Sequence, residues 1–379
     1  MKKLIIVTIL ILSAFAQNWA TAGKEEGLLN SSDTAAKTAG KRVITDMAGR
    51  ELEIPAVIEK VHPTMPIGAN ILYTLVPERV AGLNWPPTEY ELEFLDKDYC
   101  ELPVLGGWFS TYEGNVEEIL KIGPDIILAT ARKDPKKSKT FSQQADKIQK
   151  QLAIPVVLID TRLEMLGEAY KFLGGLFSDK EGIKERTEEL ARYCRDLLAE
   201  VGKISSTIPE GEKVGVYYAE GEDGLSTDLS GSMHSEIIEL VGGINIAARK
   251  MAGQEAAGGM ARISLEQILI WDPEVIVAAH DQGFAGSALA YDAVLNDPGF
   301  AGTKALKTGR VYEIPYKPFD ITTKPPSVNR LLGIIWLSEL LYPDYYDFDV
   351  ASEFVEFYKL FYNIGLDNNQ LDLILENAQ

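Results

Sequence analysis

Two stretches of the sequence, NVEEILKIGPDIILA at residues 115–129 and SLEQILIWDPEVIVA at residues 264–278, carry one pattern 149 positions apart. Six of their fifteen positions are identical. In each copy a capping residue, Asn115 or Ser264, precedes a short helical run with a glutamate in its first turn, where the helix dipole favours negative charge. A Gly-Pro or Asp-Pro pair then ends the helix, and an apolar run enters a sheet. The repeat therefore predicts two similar α/β lobes.

Around both copies, short apolar runs typical of strands alternate with helix-like stretches. This alternation predicts parallel sheets with helices on both faces. A proline-free run from position 179 to about 205, with apolar residues at helical spacing, separates the two halves. We therefore predict an α/β fold with two Rossmann-like parallel-sheet lobes joined by a single long linker helix. The ligand cleft is expected between the lobes, at the carboxyl ends of the strands.

The predicted organisation starts with an export signal. A short basic start is followed by an apolar run from Leu4 to Ala16 and by small residues suited to cleavage after Ala22. An uncleaved N-terminal anchor is the alternative, and the absence of a nearby cysteine argues against lipid attachment. The predicted parts are a signal peptide at 1–22, a flexible leader at 23–41, an N-terminal lobe at 42–178, the linker helix at 179–207, a C-terminal lobe with final helices at 208–365 and a C-terminal tail at 366–379.

Composition excludes several classes of protein. With 37 Lys and Arg against 56 Asp and Glu, the net charge is -19, which argues against binding to nucleic acid or to an anionic membrane. Cys100 and Cys194 are too few for a disulfide scaffold or a four-thiolate metal site. The sequence also lacks a nucleophile elbow, a phosphate-binding loop and a zinc-protease motif, so we do not expect an enzyme. An exported α/β enzyme and a ligand sensor stay as alternatives from other classes.

Candidate ligand-binding residues follow the predicted strand ends. Aromatic side chains there supply rigid contact area, and arginine supplies charge for an anionic ligand. The candidates are Trp85, Trp108, Tyr112, Arg132, Tyr218, His234, His280, Phe319 and Arg330. His234 and His280 are also weak candidates for direct metal ligands, because a bare ion needs several converging donors. His62 lies inside the first strand-like run and is predicted to be a core histidine.

Several motifs, in this order and flanking a long helix, carry a family resemblance. They are ITDMAGRELEIP at 44–55, both repeat copies, SMHSEIIELVGGIN at 232–245 and GRVYEIPY at 309–316. Together they resemble the periplasmic substrate-binding proteins of the iron-siderophore/cobalamin class, the helix-linked class III type that serves ABC importers. The resemblance implies a monomer in the periplasm that captures a metal chelate, foremost an iron-siderophore, and delivers it to a permease dimer. A resident cofactor is not implied.

The resemblance also implies a docking role for the shared acids of the repeat. Glu117 and Glu266 match the glutamates that meet arginines on the two permease subunits, although both are also ordinary first-turn residues. The opening KVHPTMP at 60–66 departs from the usual family pattern, so other ligands stay open. These are a corrinoid, haem, for which Tyr112 is a weak candidate ligand, and a metal oxyanion such as molybdate.

Overall fold

The computed structural model describes residues 40–109, 112–131, 138–229, 232–251, 260–281, 288–322 and 327–379. The predicted signal peptide, nearly all of the leader and Arg132 lie outside these ranges. The fold described here is that of one compact unit, Val43–Ile54 with Ile58–Gln379. Within the described residues, no helix combines the length and the apolar character that crossing a lipid bilayer requires.

Strands occur in both halves of the chain, mostly as short segments. They are β1 (Lys41–Thr45), β2 (Glu51–Pro55), β3 (Val61–Pro63), β4 (Ile126–Ala131), β5 (Val156–Asp160), β6 (Gly215–Ala219), β7 (Ser226–Asp228), β8 (Ile244–Asn245), β9 (Met260–Arg262), β10 (Val275–Ala278), β11 (His280–Asp281), β12 (Ala288–Leu289) and β13 (Val311–Glu313). Strands β1 and β2 form a two-stranded sheet of their own.

Helices alternate with the longer strands. They are α1 (Pro66–Tyr73), α2 (Glu89–Phe94), α3 (Lys97–Cys100), α4 (Val116–Ile122), α5 (Ser138–Leu152), α6 (Leu166–Leu176), α7 (Ile183–Ser205), α8 (Glu236–Leu240), α9 (Ile246–Lys250), α10 (Leu265–Trp271), α11 (Ala290–Asn296), α12 (Lys304–Thr308), α13 (Arg330–Leu341), α14 (Val350–Phe357) and α15 (Asn368–Ile374). A single π-helical turn, Tyr358–Tyr362, continues α14.

Two parallel sheets form the centres of the two lobes. The N-terminal sheet has the order β3-β4-β5, and the C-terminal sheet has the order β13-β10-β6-β8. The repeat strands β4 and β10 both take interior positions, so their apolar runs are covered on both faces and buried along almost their whole length. The predicted α/β fold with two parallel-sheet lobes is therefore confirmed.

The linker helix α7 spans 23 residues and connects the two sheets. Its buried stripe contains Leu190, Cys194, Leu197 and Val201, which recur three or four positions apart as predicted. Burial raises the pKa of the Cys194 thiol to about 12, so this cysteine is a packing residue that stays protonated at neutral pH. The helix is a continuous spine between the lobes.

Residues 79–85 form only isolated bridges. Val80 pairs with Val61, and Leu83 pairs with Val104. The segment packs closely on Leu105, since a Cβ atom at Gly82 would lie 2.6 Å from the side chain of that leucine. This segment therefore extends the edge of the N-terminal sheet without joining it as a full strand.

Residues 366–379, which were predicted as a tail, pack onto the C-terminal lobe. Helix α15 begins with a capping box, and the side chains of Ile374 and Ala378 are almost completely buried. The indole nitrogen of Trp336 donates a 2.8 Å hydrogen bond to the carbonyl of Ala378. The segment contains Leu366, Leu371, Leu373, Ile374 and Leu375, an apolar signal that the prediction of a tail did not use.

Candidate ligand cleft and docking surfaces

The carboxyl ends of the strands bring aromatic side chains from both lobes into contact. Tyr90 of α2 meets Tyr316, which follows β13, with ring centres 5.6 Å apart at 80°. Tyr316 also stacks on His280, with ring centres 3.6 Å apart and nearly parallel planes. The Lys317 ammonium lies 5.4 Å from the ring centre of Tyr90 and 5.0 Å from that of Tyr316. This aromatic contact closes one part of the cleft between the lobes.

The imidazole of His280 is oriented by a buried carboxylate. Its Nδ1 lies 3.0 Å from Glu313 Oε1, while the amide of Asn377 donates to the other oxygen at 3.0 Å. Burial acts to raise the pKa of Glu313, but the hydrogen bonds from His280 and Asn377 outweigh it and the pKa is lowered. An ionised Glu313 accepts a hydrogen bond from the Nδ1–H group of His280. The other ring nitrogen, Nε2, is then the one suited to meet a ligand.

The N-terminal lobe contributes a second aromatic group, from Trp85 before α2 and from the loop that follows α3. Trp85 contacts Phe109 with ring centres 5.6 Å apart, and Phe109 stacks on Tyr112 at 4.9 Å. The neighbouring Trp108 is partly buried against the core, and its backbone nitrogen donates to the carbonyl of Thr64 at 2.8 Å. This bond ties the aromatic loop to the end of β3.

The loop can approach β3 so closely because of a glycine. A Cβ atom at Gly107 would lie 2.3 Å from the carbonyl oxygen of Thr64, a distance that no side chain tolerates. Of the predicted residues, Trp85 and Tyr112 are joined through Phe109, while Trp108 packs against the core.

Other predicted ligand residues lie deeper than expected. Tyr218 is buried, and its hydroxyl donates to Glu220 at 3.1 Å. Phe319 is also buried, whereas His234 is half-buried in the segment that leads into α8. Ligand contact by these residues stays a prediction, and for Tyr218 and Phe319 it requires the surrounding cleft to open.

Arg330 has no exposed surface and connects the two lobes. Its guanidinium donates to the carbonyl of Thr161, at the end of β5, at 2.7 Å and to Glu236 of α8 at 2.5 Å. Arg330 is therefore not on a cleft surface in this structure, and ligand contact by this residue stays a prediction. A guanidinium is needed here because it satisfies acceptors from both lobes at once.

A second buried network also spans the lobes. The amide nitrogen of Asn70, in α1, donates to the hydroxyl of Tyr362 at 2.9 Å, and that hydroxyl contacts Asn329 at the start of α13. The backbone nitrogen of Val328 donates to the Asn70 oxygen at 3.4 Å. Buried polar contacts of this kind resist separation of the lobes, because an opened amide would lose its partner.

Two of the described cavities differ in size and position. A space of about 30 Å³ lies beside the aromatic loop, lined by Asn84, Trp85, Glu91 and Phe319 among others. A groove of about 820 Å³ lies by the first turn of α7, lined by Tyr73, Lys180 and Arg186 among others. Tyr73 ends α1, and a helix that follows a parallel strand ends at the amino edge of the sheet. The large groove is therefore not the predicted cleft.

Histidines do not form a metal site with other donors in the described ranges. No group of three or more His, Cys, Asp or Glu side chains there is arranged to hold an ion. His62, as predicted, is a core residue with no exposed surface, and burial lowers its pKa to about 4. Tyr90, Tyr316 and Phe109 were not among the predicted site residues, although the position of Tyr316 shortly after a strand was an available signal.

The sequence and the fold both match known proteins. The family described as "Periplasmic binding protein" matches residues 85–318, which is more than half of the chain. This chain belongs to the periplasmic binding protein family. The sequence has no match among the curated proteins with which it was compared.

Solved structures of other binding proteins share the whole fold. An ABC transporter solute binding protein from Sulfurospirillum deleyianum is 29% identical with a TM-score of 0.77, and the match covers 88% of this chain and 98% of that one. The molybdate-bound periplasmic binding protein MolA from Haemophilus influenzae is 22% identical with a TM-score of 0.65, over 86% and 99% of the two chains. The vitamin B12 binding protein BtuF of Vibrio cholerae is 18% identical with a TM-score of 0.54, over 76% and 97%.

The binding protein presents the two repeat helices with the same local geometry. The Asn115 side chain caps α4 by accepting from the backbone of Glu118, and Ser264 caps α10 by accepting from Gln267, both at 3.2 Å. Glu117 and Glu266 occupy equivalent first-turn positions and are exposed. Each helix precedes a parallel strand and runs against it, so each first turn lies at the carboxyl edge of its sheet, near the cleft.

Proposed function

We propose that this periplasmic binding protein captures a metal chelate, foremost an iron-siderophore, between its lobes and delivers it to the permease dimer of an ABC importer. The observation that best supports this proposal is the group of aromatic side chains near the carboxyl ends of the strands. Trp85, Phe109 and Tyr112 lie on one lobe. On the other lobe, Tyr316 stacks on His280. Such rings give large contact area to planar ligand groups at little cost in side-chain entropy.

A chelate fits this chemistry because its metal arrives already coordinated. The binding site then has to supply contact area and a few polar contacts, and it does not need a complete set of metal-coordinating side chains. His280, held by Glu313, supplies a polar contact beside the rings, whereas the buried ammonium of Lys317 is paired with Glu376 at 2.9 Å. Export through a cleaved signal at residues 1–22 and action as a monomer belong to this proposal, as does a carrier role in place of catalysis or sensing.

A compact metal oxyanion is the second candidate ligand. The contact between Tyr90 and Tyr316 favours a compact ligand, since a siderophore, corrinoid or haem needs a wider opening than these rings leave. The related fold of MolA is that of a molybdate-bound protein. An oxyanion would be recognised by hydrogen-bond donors, and the imidazole of His280 lies beside these rings.

Tryptophan fluorescence separates the candidates. We expect a ferric siderophore to quench the emission of Trp85 and Trp108 with saturation, and Trp85→Phe with Trp108→Phe to remove that response. Trp271→Phe, far along the chain on α10, is the matched control and should leave it intact. Saturable binding of molybdate but of no chelate would replace the first candidate by the second. No response to siderophore, corrinoid, haem or oxyanion in fluorescence and thermal shift would contradict the proposal.

The permease contact is proposed for Glu117 and Glu266. Both are exposed, both lie on the duplicated helices, and a pair of equivalent acids suits a partner with two equivalent subunits. Arginine on each subunit is the expected counterpart, since the opposite charges would guide the two proteins together.

A further inference from the structure

Each repeat helix exposes a leucine one turn after its glutamate. Leu120 on α4 is 48% exposed, and Leu269 on α10 is 38% exposed. The isoleucines directly before them, Ile119 and Ile268, are completely buried and hold the helices to their lobes. The exposed leucines are identical in the two copies of the repeat, and packing within the described structure does not account for their exposure.

The glutamate and the leucine of each helix form one surface. Residues three positions apart lie on the same side of a helix, so Glu117 is beside Leu120 and Glu266 is beside Leu269. An exposed ion pair contributes little by itself, because water screens it. When an apolar side chain is buried next to an ion pair between a docking glutamate and a basic residue of the partner, it excludes water from that pair and adds contact area. This arrangement is typical of the centres of protein interfaces.

The C-terminal copy has the more apolar surface. Ile270, beside Leu269, is 76% exposed. Its counterpart in the other copy is Lys121, whose ammonium lies 3.2 Å from Glu118. A surface groove of about 480 Å³ adjoins Ile270 and is lined by Met251, Arg262, Gln267 and Trp271 among others. The two surfaces therefore share the acid and the leucine but differ at the next position.

We propose that Leu120 and Leu269, together with Ile270, are the apolar anchors of the permease interface. The partner is a membrane-protein dimer in which each subunit presents an apolar pocket beside a basic side chain. This inference rests on the proposed docking role of Glu117 and Glu266. The duplicated surface fits a partner with two equivalent sites, and its acids are complementary to basic residues.

The test measures binding of the purified protein to its ABC permease dimer in lipid nanodiscs. We expect the double variant Leu120→Ser with Leu269→Ser to raise the Kd about 100-fold. Each leucine that is no longer buried against the permease should raise the Kd about tenfold. Ile270→Lys, which copies the residue of the other repeat, should also weaken binding. Leu295→Ser is the matched control, because Leu295 is similarly exposed (44%) near the end of α11 and belongs to neither repeat helix.

The outcomes separate this inference from the docking role on which it rests. If the leucine double variant binds within twofold of the wild type while Glu117→Ala with Glu266→Ala does not bind, the anchors are refuted and the acids stand. If the glutamate variant, too, binds normally, or if the wild type does not bind, the docking role fails and the anchors fail with it. Unchanged melting temperature and ligand affinity of the leucine variant are required for the supporting result.

Discussion

The guanidinium of Arg330 donates a 2.7 Å hydrogen bond to the carbonyl of Thr161. This bond joins helix α13 of the C-terminal lobe to the end of strand β5 of the N-terminal lobe. The same guanidinium contacts Glu236 at 2.5 Å and has no exposed surface. Together with the contact between Asn70 and Tyr362, this bond crosses between the lobes where α7 already connects them. These buried contacts restrain separation of the lobes, so the wider opening at Tyr90 and Tyr316 that a siderophore needs would have to come from movement of side chains and loops.

Replacing Arg330 tests this structural role. We expect Arg330→Met to lower the free energy of unfolding by about 2–4 kcal/mol, because two acceptors lose a buried charged donor. Ligand affinity per folded molecule should change little. Urea unfolding and a binding titration measure the two effects, with the exposed Arg192→Met as control. Normal stability with lost affinity would instead support direct ligand contact by Arg330.

The two docking acids are expected to act in transport without acting in ligand binding. Glu117→Ala with Glu266→Ala should abolish uptake while the Kd for the ligand stays unchanged, because both side chains are exposed on repeat helices. Transport into proteoliposomes and a binding titration provide the two measurements. Glu185→Ala with Glu188→Ala removes two exposed acids from the linker helix and should transport normally. Weaker ligand binding by the first double variant would refute this assignment.

His62 makes stability depend on pH. Burial lowers its pKa from 6.5 to about 4, so the unfolded chain binds the proton more readily than the folded one. The contribution of His62 is fully present above pH 6.5 and is lost as pH falls towards 4, with a size of about 3 kcal/mol. Urea unfolding between pH 7 and pH 4.5 should show this loss, and His62→Phe should reduce it. An equal pH dependence in the two proteins would exclude His62 as its source.

The C-terminal segment is expected to be part of the folded core. Ile374→Ala should lower the free energy of unfolding by about 2–4 kcal/mol, as for other large core residues. Ile270→Ala makes the same chemical change at a position that is 76% exposed, and we expect a change below about 0.5 kcal/mol. Thermal and urea unfolding compare the two variants. Equal stability of both would show that residues 366–379 behave as a tail in solution.

Local sequence patterns predicted the elements that depend on local chemistry. The caps Asn115 and Ser264, and the apolar runs of β4 and β10, specify the two lobes because each signal lies within a few residues of the element that it determines. The spacing on α7 likewise predicted the linker helix and its buried face.

Contacts between segments that are distant in the sequence could not be predicted from these local patterns. The burial of Arg330 depends on Thr161, which lies 169 positions away, and the contact of Tyr90 with Tyr316 forms only when both lobes are assembled. The position of a strand end identifies the neighbourhood of the cleft, but whether a side chain there is exposed, as Tyr112 is, or buried, as Tyr218 is, depends on the packing of the other lobe.

Capture of a metal chelate is tested most directly by native mass spectrometry of the protein purified from its own periplasm, combined with metal analysis and a visible absorption spectrum. We predict one bound small molecule per monomer that carries a metal ion, with the absorption of an iron-siderophore complex. A bound molybdate-like oxyanion would contradict the chelate and support the compact ligand. A bound molecule without metal would contradict both.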